Sequence, residues 1–169
     1  MTLPPGGYLP NYVPGDFRAS TITPRHVPSH CTGLPNWRNA EWPLKSHFPP
    51  GDRFSYSGEG FLYLQKAVEA ITGKLAHILV EQLVLERFAM TQSSLIWNSR
   101  FDANPAYLHD DFGRSALSFK PGEANAAWSL QTTASDFARF LLAMLDVARL
   151  KPESAELWLR PQSRGQAPR

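Results

Sequence analysis

The sequence predicts a mainly α protein, and three observations carry that expectation. Apolar residues recur at steps of three to four in Phe61, Leu64, Val68 and Ile71, and again in Phe137, Phe140, Leu141 and Met144. No series of runs alternates apolar with polar residues, and no segment repeats. Of the 169 residues, 43% are hydrophobic and 19% charged, enough apolar material for one core and too little charge for a disordered chain.

Taken in order, residues 1–20 carry four prolines and an adjacent glycine pair, so an extended arm is expected there. A single helical domain is expected over 21–161 and a disordered tail over 162–169. Thr23-Pro24 reads as an N-cap with proline at the first helical position, opening a short helix through His30. Trp37, Trp42, Phe48 and Phe54 mark an aromatic loop over 36–55. The strongest helix starts near Ser57 and stops at Gly73, and a second is expected at about 75–88, apolar over more than half its circumference. Residues 91–97 read as a short strand and 98–128 as loop. Thr133 or Ser135 caps a third helix, and Pro152 to Leu159 makes a short fourth.

The charge balance excludes whole classes of partner. With 17 Lys+Arg against 15 Asp+Glu the net charge is +2, and no basic cluster is longer than two residues, so neither nucleic acid nor anionic lipid is an expected partner. No apolar run approaches the length of a membrane span, and Met1 to Gly7 has no signal-like pattern; the expectation is a soluble chain in the cytoplasm. The single cysteine, Cys31, excludes an internal disulfide.

Four segments resemble a known family in its own order. The run from Ile22 through Thr-Pro-Arg-His-Val-Pro-Ser-His-Cys-Thr-Gly-Leu to Pro35 resembles the stretch just past the nucleophile helix of class C β-lactamase-like serine hydrolases and esterases. Pro49-Pro-Gly-Asp-Arg-Phe-Ser-Tyr-Ser57 resembles the approach to their Tyr-x-Asn motif. Residues 124–141 are similar to a later helical region, and 152–161 to a following helix. The resemblance implies a helical subdomain of the β-lactamase-like fold without its antiparallel sheet. It makes Tyr56 the family's tyrosine and a candidate polariser or general acid, with Gly58 where the asparagine belongs. A helical layer without its sheet exposes apolar surface, so a homodimer is expected.

The family's other chemistry has no counterpart in these residues. The lysines at 45, 66, 74, 120 and 151 follow Trp42, Tyr63, Ile71, Leu117 and Ala148 by three, so no Ser-x-x-Lys pair exists to put nucleophile and base on one helical face. No late Lys/His-x-Gly strand follows Leu159.

That gap directs attention to metal chemistry. On a helix, His26 and His30 share one face at a spacing suited to two ligands, with the Cys31 thiolate beside them. His109 or Asp110 offers a third ligand, with Asp111 and His47 as substitutes. A zinc ion so held would lower the pKa of its bound water to about 7. The expectation is a small metal-assisted hydrolase acting on an activated ester or phosphoester. The alternative is a catalytically silent remnant or split part of a serine hydrolase, serving as a binding module. Each residue also has a plainer reading: the histidine pair as ordinary scaffold, His109-Asp110-Asp111 as a solvated turn, His77 as a half-buried helix residue, and the tryptophans with Phe48 as core.

Overall fold

A computed structural model describes residues 9, 11–116 and 119–146, with 154, 156 and 160 beyond them. Helices α1 (Gly58–Thr72), α2 (Ala76–Val80) and α3 (Ala134–Leu145) are joined by long turns. Strand β1 (Leu108–His109) pairs antiparallel with β2 (Ser115–Ala116), Leu108 facing Ala116 and His109 facing Ser115. Turn and loop residues outnumber helical ones among the described residues, so the mainly α expectation is met only in part. None of the described helices is long and apolar enough to cross a membrane.

Helix α1 forms where both of its ends are locally encoded. Ser57 holds an extended backbone and its Oγ accepts the Gly60 N–H at 3.0 Å, while Gly73 at φ +66° donates its N–H to the Glu69 carbonyl. Tyr63 turns into the core with Val13, Ala19, Ile22, Val27 and Leu34, and Phe61 and Leu64 pack against that cluster. Helix α3 starts as its sequence predicts, with Thr133 Oγ1 accepting the Asp136 N–H at 3.2 Å. Between α1, α2 and α3 lies an apolar cavity of about 410 Å³ walled by residues such as Leu64, Val68, Leu79, Leu85, Phe137 and Phe140.

Elsewhere the chain departs from expectation for identifiable reasons. Residues 24–30 form turns and no helix. Pro28 has no N–H to give to the preceding turn, the backbone bonds present span three residues (His26 N–H to Thr23, His30 N–H to Val27) or five (Cys31 N–H to His26) and not the four of an α-helix, and His30 ends the segment at φ +53°. The described part of the arm is not extended either: Phe17–Thr21 is a short 3₁₀ helix capped by Asp16, and Val13 and Ala19 are core residues. The helix expected over 75–88 is α-helical only to Val80 and widens to a π-helix over Glu81–Leu85. The strand expected at 91–97 is reduced to one bridge, Ser94 to Gln131. The stretch read as loop contains the β1–β2 hairpin and a 3₁₀ helix at Ser99–Ala103. The fourth helix and the tail fall outside the described residues, apart from the isolated ones above.

Two glycines give a graded test. Gly33 lies at φ +78°, and a Cβ there would stand 2.3 Å from Ser46 Oγ and 2.4 Å from the Phe48 carbonyl oxygen. Gly73 has a similar φ with nothing within 4 Å. Gly73→Ala should therefore cost about 1 kcal/mol, the conformational term alone. Gly33→Ala adds a backbone collision and should cost roughly 3 kcal/mol or more, as read from urea unfolding midpoints.

Candidate functional site

The first four N–H groups of a helix have no partner inside it, and in α1 all four are taken. The Ser57 N–H reaches His30 Nδ1 at 3.1 Å, the Gly58 N–H reaches Asn36 Oδ1 at 3.0 Å, and the Glu59 N–H reaches the Asn36 carbonyl at 2.7 Å. Ser57 Oγ takes the fourth, from Gly60, and itself donates to the Pro35 carbonyl at 2.8 Å. Residues 30–36 thus fix the start of α1 in direction as well as position.

Tyr56 sits immediately before this clamp. Its ring stacks on His30 with centroids 4.4 Å apart and planes 28° from parallel, and 60% of the residue remains exposed. Phe54 meets the same imidazole edge-on at 5.6 Å, and Phe61 lies against it at 5.4 Å. Because Nδ1 accepts an N–H, the neutral His30 ring carries its proton on Nε2. Burial lowers the pKa of His30, and it does the same at His26.

Behind the clamp lies a buried charge. Glu59 is fully buried and accepts the Tyr12 hydroxyl at 2.6 Å, the Arg38 Nε–H at 3.0 Å and the Arg38 backbone N–H at 3.2 Å; the Arg38 guanidinium also pairs with it through Nη2. Burial alone would raise the Glu59 pKa, but the Arg38 and Tyr12 donors outweigh it and hold the carboxyl below its usual range. Burial and the Glu59 carboxylate push the Tyr12 hydroxyl the other way. Arg38 also covers the Tyr12 ring at 4.7 Å, so the arm, the 36–38 loop and α1 meet in one network.

The residues expected to bind a metal are not brought together. His26 and His30 share a face only on a helix, and none forms there; their Nδ1 atoms accept the N–H of Thr23 and of Ser57 respectively. Cys31 is buried and donates its thiol hydrogen to the Ser29 carbonyl. His109 lies on β1, and Asp110 closes the hairpin by accepting the Phe112 and Arg114 N–H groups, both at 2.9 Å. Among the described residues no three His, Cys, Asp or Glu side chains converge into a ligand set. His77 is half-buried in α2 and Phe48 is a core residue, but Trp42 is 71% exposed and Trp37 and Trp128 are 46% exposed, so the core reading holds for Phe48 and not for the tryptophans. Sequence reasoning missed Asn36, Arg38 and Glu59, whose roles depend on contacts 21 or more residues apart; the Asn-Trp-Arg run after a Gly-Leu-Pro turn gives no local sign of them.

The family model for Beta-lactamase matches residues 4–168. The chain belongs to the β-lactamase family. Three solved structures illustrate the likeness. A class C β-lactamase superposes with a TM-score of 0.70 at 20% identity, over 92% of this chain and 46% of its own. The penicillin-binding protein from Bacillus halodurans gives 0.64 at 25% identity, over 83% and 51%. The D-alanine carboxypeptidase AmpC from Burkholderia cenocepacia gives 0.70 at 20% identity, over 91% and 45%. No curated protein sequence matches the chain. The chain spans about half the length of these β-lactamase-like structures. Its fold is therefore β-lactamase-like, with a small two-stranded sheet and a few helices. The expected metal-dependent hydrolase is overturned: the relatives are serine hydrolases, and the proposed ligands lie apart.

The lowered histidine pKa values fix a sign. A group whose folded pKa lies below its unfolded value of about 6.5 contributes stability that is present above that value and is lost as pH falls through the folded one. The urea midpoint of the protein should fall on acidification from pH 7 to 5. A His26→Asn/His30→Asn double variant should show a flatter profile over that range.

Proposed function

We propose that these 169 residues act as the helical portion of a β-lactamase-like serine hydrolase, with the nucleophile supplied by a segment outside them. One observation supports this above the rest. Tyr56, the catalytic position of the family present here, is exposed and held against a fixed helix start, while no lysine in the sequence follows a serine by three. In this reading a serine hydroxyl from the other segment attacks the carbonyl carbon of an activated ester. The Tyr56 hydroxyl gives its proton to the leaving oxygen and takes up the one the serine loses; when water later releases the acyl group, Tyr56 takes a proton from that water and returns one to the serine oxygen. Backbone N–H groups at the start of α1 take no part, because each is already bonded. The apolar cavity between the three helices supports the same reading, since a lining of this kind suits packing against an apolar segment.

The test is labelling by a fluorescent alkyl fluorophosphonate, an amide-free probe of activated serines, followed by intact mass. The chain alone should remain unlabelled. Mixed with the nucleophile-bearing and strand-bearing segments of a class C β-lactamase, it should support labelling, and Tyr56→Phe should slow that labelling by about a hundredfold, the usual scale of one proton-transfer group. A stable adduct on the chain alone would refute the proposal, as would a mixture that never labels.

A further inference from the structure

The first turn of α1 contains one close approach that the catalytic reading leaves unused. Gly58 has no side chain, and a Cβ there would stand 2.6 Å from Cη2, 2.7 Å from Cζ2 and 3.1 Å from Cε2 of Trp37. Real Cβ atoms do not come that near, so the benzene ring of the indole fills the volume that a side chain at position 58 would take. Ser57 between them is extended, at φ −145° and ψ 106°, which directs the side-chain positions of residues 56 and 58 to the same side of the chain. The indole is therefore on the Tyr56 side. It is 46% exposed, so part of the ring is open to solvent, as is the tyrosine.

Position 58 is also where the family resemblance places the asparagine of Tyr-x-Asn. A carboxamide there would offer one acceptor and two donors. This chain offers an indole ring, and the N–H groups of the turn beneath it are all engaged. An amide-bearing group laid against that surface would lose its water with little to replace it, at a cost that exceeds what apolar contact returns. A flat or branched apolar group would lose nothing and gain an aromatic contact.

We propose that Trp37 is a specificity-determining residue: seated on Gly58 in place of a side chain, its indole forms an apolar wall beside Tyr56 and selects esters with an aromatic or branched-alkyl acyl group over esters whose acyl group carries an amide. The substrate preference rests on the catalytic reading above, but binding to the wall can be measured without any nucleophile.

The experiment follows the five tryptophan indole N–H signals of the ¹⁵N-labelled chain, with the Trp37 signal assigned by its loss in Trp37→Leu. Methyl phenylacetate should shift the Trp37 signal saturably, and N-acetylglycine methyl ester should do so several-fold more weakly. Gly58→Ala, which keeps Trp37 but evicts its ring, should weaken methyl phenylacetate binding by roughly two- to tenfold, the scale of one aromatic contact. Trp37→Ala, monitored through the Tyr56 ring signals, serves if Gly58→Ala loses its far-UV circular dichroism. Equal response to both esters, no response to either, or unchanged affinity in the variant that folds would overturn the proposal. A ring-dependent response together with a fluorophosphonate mixture that never labels would remove the catalytic reading and leave the wall; labelling without that response would do the reverse.

Discussion

Four backbone N–H groups at the start of α1 need partners from outside the helix ladder, and the way they find them organises the rest of the protein. His30 and Asn36 satisfy three, and Ser57 the fourth. Each unmade bond at a buried helix end would cost on the order of 1–3 kcal/mol, so the 30–36 segment and α1 are stable only together. The same segment brings Leu34 into the core and places Gly33 against Ser46 and Phe48. The connection between distant parts of the chain is thus made by backbone hydrogen bonds at one point, with apolar packing filling in around it.

His30 shows what that constraint demands. A histidine at φ +53° carries backbone strain of about 1 kcal/mol or more. It is held there because its carbonyl accepts the Ser55 N–H at 2.8 Å, its Nδ1 accepts the Ser57 N–H, and its ring stacks on the intervening tyrosine. The residue grips both sides of Tyr56 along the chain and one face of its ring. Glu59, two residues beyond Ser57, ties the same turn to Arg38 and Tyr12. The tyrosine is exposed, yet everything around it is fixed.

The parts of the fold that were legible in the sequence are those whose causes are local. Ser57, Gly73 and the spacing of Phe61 and Leu64 marked α1, and Thr133 marked α3, because a cap and its helix lie within a few residues. Thr23-Pro24 carried an equally good cap signal and misled, because Pro28 has no N–H for the next turn and the Ser55 and Ser57 N–H groups hold His30, at positive φ, outside any helix. The metal reading failed with it, since a spacing of four places two rings together only on a helix. Tyr56 was found through resemblance to a family pattern. Trp37 was noticed as one aromatic among several, but its partner, a glycine 21 residues later, contributes only an absence of atoms, which no pattern of residue types records.

The widened turn at Glu81–Leu85 bears on how this chain tolerates changes of length. A π-turn holds one residue more than the α-turn it replaces, and α2 runs directly into it, so the ladder carries a slack residue in its middle. Beyond it Met90 N–H returns to the Leu85 carbonyl, and Leu85 and Met90 face the apolar cavity. A one-residue deletion within this stretch can be absorbed by closing the turn to α geometry, with the cavity wall downstream kept in place. The same deletion in α1, where Ser57 and Gly73 fix both ends, has no such slack to consume. Length variation among relatives of this chain should therefore gather at the wide turn and spare the helix that carries the site.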